Sequence, residues 1–228
     1  MSLIEHFFSL IAPDDCLRCG REGLLVCKPC LPQLAQPNGR CFGCHRLVGV
    51  SGCLPCLAQR NLDEVRAATA YSNEAKQLVA KLKFSGNQSA ARIMAEVIWH
   101  SCSPITPGTV LVPLPATTAH VRQRGFDQAQ LIARHLSRLS GLPQQSVLGR
   151  AGQQHQLGAG RGQRLVQLTH SLHIRRQPPA RVLLVDDVLT TGATLHAAAT
   201  LLRAHGAQSI TAVTFAQTAS FVTEKAVH

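Results

Sequence analysis

The sequence predicts an α/β protein: a mostly parallel sheet flanked by helices, preceded by a small N-terminal Cys-rich domain. Three observations predict it. Val182-Leu183-Leu184-Val185 is an apolar run ending in Asp186 and Asp187, as expected of a strand covered on both faces. A second run, Thr109-Val110-Leu111-Val112-Pro113-Leu114-Pro115, is closed by prolines and reads as another buried strand. Eight of the nine cysteines fall within the first 56 residues, as four C-x2-C pairs. At 228 residues the chain is long enough for one full core and an accessory unit, divided here as residues 1–62 and 63–228.

The Cys pairs are Cys16/Cys19, Cys27/Cys30, Cys41/Cys44 and Cys53/Cys56. Two cysteines at this spacing can turn both sulfurs toward one tetrahedral metal, and two such knuckles complete a four-thiolate zinc site. Short intervals of seven and eight residues favour sequential sites, the first from Cys16, Cys19, Cys27 and Cys30, the second from Cys41, Cys44, Cys53 and Cys56. A cross-braced pairing is the alternative arrangement, and an iron–sulfur cluster the alternative occupant. The segment is rich in Gly and Pro and poor in periodicity, so a zinc-ribbon-like unit holding one or two zinc ions is expected to draw its folding energy from metal. Cys102 lies outside the pattern, beside Ile98 and Trp99, and reads as a buried small hydrophobe.

After the Cys pattern stops, residues 65–71 predict a strand, and residues 74–84 and 89–100 predict helices. Ala91, Met94, Ala95 and Ile98 of the second helix share a face. The buried strand at residue 109 follows the Pro104 and Pro107 turn. Next come Arg122, Arg124, Gly125, Phe126, Asp127 and Gln128, leading into a helix with Ala129, Ile132, Leu136 and Leu139 on one face and a stop at Gly141. Asp127 is a candidate N-cap, with Gln130 at the capping-box position. Arg122 and Arg124 are either a solvated basic loop or, beside a strand's carboxyl end, a phosphate-binding one.

The strand at 182–185 delivers its two acids just beyond the apolar layer. Residues 190–194 then offer three hydroxyls, and Gly192 permits the close approach of backbone N–H groups that a phosphate needs. A carboxylate pair beside a phosphate cradle implies a ligand with both hydroxyls and phosphate. The structural alternative is a strand whose acids merely cap the next helix. Leu195, Ala198, Ala199 and Leu202 continue at helical spacing, Gly206 stops them, and residues 210–216 form the next strand. Such a βαβ unit places ligands at the carboxyl ends of its strands.

The formal net charge is +11, and two four-thiolate zinc sites would reduce it to about +7. The balance favours anionic ligands such as nucleic acid or a phosphorylated metabolite. Only 4% of residues are aromatic, so base-stacking platforms are not evident. No apolar run approaches the ~20 residues of a membrane span, and residues 7–12 are preceded by Glu5 and His6. With no positively charged leader or small-residue cleavage site, a cytoplasmic protein without membrane insertion is expected.

The segment from Val182 to Thr194 resembles the phosphoribosyl-pyrophosphate (PRPP) motif of type I phosphoribosyltransferases. The resemblance narrows when the N-terminal Phe-Phe-x-Leu-Ile-x-Pro, the four Cys pairs, Lys81-Leu82-Lys83-Phe84, Val112-Pro113-Leu114 and Arg124-Gly125-Phe126-Asp127-Gln128 are added. Their order is similar to that of the ComF/GntX-like family, DNA-uptake and DNA-utilisation proteins with a phosphoribosyltransferase-like domain. The resemblance implies that Asp186 and Asp187 bind the ribose hydroxyls, and that Thr190, Thr191, Gly192, Ala193 and Thr194 bind the 5′-phosphate. It makes Leu114, Pro115, Ala116, Thr117 and Thr118 a pyrophosphate loop, with Arg122 and Arg124 near it. It also implies Mg²⁺ bound with PRPP and a hood over the site carrying Arg150, Gln154 and Arg164. Here the chain departs from the family, because Leu165 stands where Asn is usual. An ordinary disordered connection is the competing reading of residues 150–167.

Phosphoribosyl transfer needs a held sugar, a neutralised pyrophosphate and a positioned acceptor. No residue declares itself as an acid or base for the acceptor, and its identity is left open. The expectation is therefore a protein that binds PRPP or a related ribose phosphate with Mg²⁺, linked to DNA uptake or utilisation or to nucleotide salvage. The alternative is a catalytically silent adaptor that binds single-stranded DNA and DNA-uptake proteins.

Overall fold

A computed structural model describes residues 15–49, 52–85, 87–151 and 171–218. The expected N-terminal Phe-Phe motif, Gln154, Arg164 and Leu165 lie outside the described residues. The fold is α/β. Strands β1 (Glu64–Ala70), β2 (Val110–Pro113), β5 (Arg181–Leu189) and β6 (Ser209–Gln217) form one parallel sheet in the order β1-β6-β5-β2.

The unbroken apolar run of β5 is explained by burial on both faces. Leu183 and Val185 point with Leu111, Val213 and Phe215 toward helices α4 (Gln88–Cys102) and α6 (Gln128–Ser140). Val182 and Leu184 point with Val110, Val112, Ile210 and Ala212 toward α7 (Ala193–Ala204). In α7 the residues predicted to share a face, Leu195, Ala198, Ala199 and Leu202, are all buried. Helix α3 (Asn73–Ser85) precedes α4 and ends near the carboxyl edge of the sheet, where its Lys83 meets β5. Gly141 closes α6 in the left-handed conformation at φ 72°, which glycine adopts without a Cβ penalty.

A helix and a two-stranded ribbon are not apparent in the sequence. Helix α5 (Thr118–Arg124) occupies what reads as a loop, so Arg122 and Arg124 stand on a helix's last turn. An antiparallel ribbon of β3 (Leu148–Arg150) and β4 (Leu172–Ile174) flanks the sheet, each strand too short to show a period of two. Strand β5 also runs on through Leu189, so that Asp186 pairs with Thr214 inside the ladder.

The Cys-rich segment grips both faces of the sheet. Its first half, with Leu25, Val26 and Leu34, joins the α4-side core, and its second half, with Phe42 and Leu57, joins the α7-side core. Short helices α1 (Leu31–Leu34) and α2 (Leu54–Ala58) each follow a Cys and carry proline in the first turn, where a missing N–H costs nothing. Polar ties complete the docking: Gln217 Nε2 donates to the Arg40 carbonyl at 3.1 Å, Asn61 Nδ2 to Thr200 Oγ1 at 2.9 Å, and Arg18 pairs with Glu74 at 3.2 Å. Among the described residues no helix is long and apolar enough to cross a membrane.

Candidate functional site

A cavity of about 360 Å³ opens at the carboxyl ends of β2 and β5. Its floor is the acid pair. Asp186 Oδ1 accepts from the Asp187 N–H at 2.9 Å, and Asp187 Oδ1 from the Val188 N–H at 2.8 Å, so both side chains are held by their own backbone. Burial pushes Asp186 well above the ordinary carboxylate range, the charge of Asp187 adds to that, and Lys83 opposes it. The Lys83 ammonium lies 2.6 Å from Asp187 Oδ2, placing a cation against the pair from the end of α3.

Opposite the acids, the chain leaving β2 lines the cavity with Leu114, Pro115, Ala116 and Thr117. Asp127 ties this loop down. Its Oδ1 caps α6 through the Gln130 N–H at 3.2 Å, while Oδ2 accepts from the Ala116 N–H at 2.7 Å. Burial raises the Asp127 pKa, the N–H donors of Ala116, Gln130 and Ala129 pull it back, and Asp187 adds to the rise. Arg124 from α5 and Arg150 from β3 bring two guanidinium groups to the wall. Burial lowers the Arg150 pKa and the charge of Asp186 counters it, which places these opposite charges within reach of one another. Gln128 is only 5% exposed and lines the same cavity, yet among the described residues its Nε2 has no hydrogen-bond partner. An amide donor left this way is poised for a ligand acceptor.

The turn after β5 ends at Gly192, which caps α7 with φ 72°. The first turn of this twelve-residue helix carries no acidic side chain; its Ala193 N–H donates to Thr191 Oγ1 at 3.4 Å, and the helix dipole favours an anion at this end. Thr194 reaches the cavity.

The structure therefore brings together Asp186, Asp187, Thr194, residues 114–117, Arg124 and Arg150. Thr190, Thr191, Gly192 and Ala193 adjoin the cavity through the turn without lining it, and Arg122 is exposed away from it. Lys83 and Gln128 are site residues to which the sequence motifs containing them assign no role. Helical periodicity puts Lys83 on a polar face, but nothing local reveals that the face ends against Asp187.

The cysteines form two sequential groups: Cys16, Cys19, Cys27 and Cys30, and Cys41, Cys44, Cys53 and Cys56. Within each group the sulfurs all lie within 4.8 Å of one another. The Cys16–Cys27 and Cys19–Cys27 separations are 3.7 and 3.6 Å, and Cys41–Cys53 and Cys44–Cys53 are both 3.5 Å. A tetrahedron of ~2.3 Å Zn–S bonds has edges of ~3.8 Å, so the sulfur sets fit zinc. Burial opposes ionisation of Cys16, but backbone donors at Cys27, Cys19 and Arg18 outweigh it and bring the thiol down to about 6. At Cys41 burial is likewise outweighed by the N–H groups of Cys44, Cys53 and Gly43, again giving about 6. The hydrogen bond to Cys27, with burial, pushes Cys30 up to about 12, and burial with the Cys53 contact does the same to Cys56. Each group can therefore hold zinc, which would displace the protons that the crowded thiols otherwise share.

Comparison with known proteins agrees with this geometry. The family model described as "Phosphoribosyl transferase domain" matches residues 121–225. The chain is 30% identical over 195 residues to competence protein ComFC of Bacillus subtilis, covering 79% of each chain. It is 26% identical over 201 residues to competence protein F of Haemophilus influenzae, covering 76% of this chain and 88% of that one. It is also 26% identical over 212 residues to DNA utilization protein YhgH of Salmonella typhimurium, covering 86% and 85%. An acid-floored cavity at the carboxyl edge of a parallel sheet, two four-cysteine groups and these relatives lead to one conclusion: the chain belongs to the ComF family of competence and DNA-utilisation proteins and carries a phosphoribosyltransferase-like domain.

Proposed function

We propose that the protein binds PRPP or a closely related ribose phosphate with Mg²⁺, in the service of DNA uptake or utilisation. The observation that carries the reading is the cavity shared by Asp186, Asp187, Thr194, the 114–117 loop, Arg124 and Arg150. The carboxyl oxygens of Asp186 and Asp187 accept from two ribose hydroxyls, and the opening of α7 takes the 5′-phosphate. Arg124, the 114–117 loop and the Gln128 amide face the side where a pyrophosphate group would lie. Mg²⁺ would supply positive charge that offsets the pyrophosphate, and Asp186 and Asp187 are the carboxyl groups that would help hold it. Residues 1–62 form a zinc-bearing unit, and residues 63–228 the ligand-binding domain.

Isothermal titration with PRPP and Mg²⁺ tests the ligand. Wild type should bind, and Asp186→Asn/Asp187→Asn should not; a silent wild type or an unaffected double variant would overturn the assignment. Transfer to an acceptor is a separate claim, read by pyrophosphate release with a panel of nucleobases. A nucleic-acid reading draws support from the net charge of +11 and the relatives named for competence and DNA utilisation. Single-stranded DNA binding that weakens with salt supports it, and a flat isotherm at low salt removes it.

A further inference from the structure

Phe42 sits between Cys41 and Cys44 in the second four-cysteine group, yet its ring is pressed against the phosphate turn. A Cβ placed on Gly192 would stand 2.5 Å from Phe42 Cε2 and 2.8 Å from Cδ2, closer than any real side chain tolerates. Gly192 is thus glycine for two reasons, its φ of 72° and the ring that fills its Cβ space. Further contacts of the ring come from its own four-cysteine group. A Cβ on Gly52, beside Cys53, would meet Cε1 at 2.9 Å, and the Arg60 guanidinium carbon stacks 5.0 Å from the ring centroid. Arg60 is itself fixed by donating to the Cys56 carbonyl at 3.2 Å. The ring is 3% exposed.

Among the described residues the first four-cysteine group makes no equivalent contact, since it packs with Leu25, Val26 and Leu34 on the opposite face of the sheet. Gly192 caps α7, so its placement aims the N–H groups of Ala193 and Thr194. We propose that Phe42 is a positioning residue for the phosphate turn, through which the second four-cysteine group, and not the first, sets the affinity of the ribose-phosphate site. This rests on reading the turn as the 5′-phosphate cradle. The physical reason is preorganisation: a turn wedged against a clamped ring presents its donors already converged, whereas a turn beside a void must be ordered by the ligand.

The test compares zinc-loaded full-length wild type, Phe42→Ala, Phe42→Leu and Leu34→Ala. Leu34, 4% exposed in the first half of the Cys-rich segment, controls for general loss of packing. Three readouts are taken: zinc content, PRPP·Mg titration, and hydrogen exchange of the peptide covering residues 190–195. Phe42→Ala should keep both zinc ions, exchange faster across the turn and bind PRPP about tenfold more weakly, a coupling usual for touching residues. Phe42→Leu, which refills most of the volume, should restore most of the protection and affinity, and Leu34→Ala should leave both within about twofold. Unchanged exchange and affinity in Phe42→Ala, or equal losses in Leu34→Ala, would overturn the proposal. If wild type does not bind PRPP, the ligand reading fails by itself, while exchange across the turn still decides whether Phe42 positions it.

Discussion

Asp127→Ala should cost up to about 3 kcal/mol of stability and loosen the loop that faces the acids. The carboxylate performs two jobs, capping α6 at 3.2 Å and holding the Ala116 N–H at 2.7 Å. Loss of an N-cap is worth ~1 kcal/mol, and a short hydrogen bond to a charged acceptor adds ~2 kcal/mol. Burial and the Asp187 charge both disfavour ionised Asp127, so part of that sum is returned when the carboxylate is removed, making ~3 kcal/mol an upper figure. Asp127→Asn keeps one oxygen acceptor and can satisfy only one of the two donors, which predicts a loss of about 1 kcal/mol. Urea unfolding followed by far-ultraviolet circular dichroism reads the difference. With an m-value of ~3 kcal/mol/M, the midpoint should fall by up to about 1 M for Ala and about 0.3 M for Asn. PRPP affinity should fall in the same order, because Ala116 no longer has its anchor. Equal midpoints for the two variants would refute the two-donor account, and a normal midpoint with Ala would refute any role for the tie to Ala116.

Three further outcomes follow from the site. Asp186→Asn should raise stability at pH 8 while abolishing ligand binding. Folded Asp186 keeps its proton to higher pH than unfolded aspartate, so wild-type stability declines as pH rises above the unfolded value of ~3.9, a contribution the Asn variant lacks; thermal melts of both proteins over a pH series starting near that value check this, and parallel slopes would contradict it. Lys83→Met removes the cation that lies 2.6 Å from Asp187 and opposes the upward shift of Asp186, so Asp186 should hold its proton to still higher pH. PRPP affinity should then fall, with the loss shrinking as pH is raised, and a pH-independent loss would instead assign Lys83 to direct ligand contact. Metal analysis should return two zinc equivalents, one per four-cysteine group, and chelation should lower the melting temperature of the whole chain, because Leu25 and Phe42 carry the two groups into opposite faces of one core. A melting temperature indifferent to chelator would separate the Cys-rich segment energetically from the sheet.

The α/β class was legible because β5 states both of its faces at once: Val182 through Val185 leave no polar side for water. The acids, the turn and the cap at Asp127 were legible for a similar reason, each being a local pattern within a few residues. The acid pair's other neighbours were not. Lys83 reaches Asp187 from an element far upstream in the chain, and the partnerless amide of Gln128 is evident only once α6 is packed. Ribbon β3–β4 escaped because three-residue strands carry no period. The sulfur spacing favoured sequential groups, and the structure assembles the cysteines in that way. What spacing cannot disclose is that the two groups straddle the sheet, since that follows from which of Leu25, Leu34, Phe42 and Leu57 meets which face.

That straddling fixes an order of events during synthesis. Arg40 is made early, but the side chain that secures its carbonyl belongs to Gln217, 177 positions later, at the end of β6. At ~5–20 residues per second the Cys-rich segment waits roughly ten to thirty-five seconds for its docking surface. Throughout that interval its thiols are open to metal and to oxidants, so zinc loading has its opportunity before the core closes. Nascent chains arrested ahead of Ser209 should already hold zinc, and metal-free arrested chains would show that loading instead waits for β6. Strand β6 would then act as a latch, sealing in place a four-cysteine segment that was finished long before the sheet was.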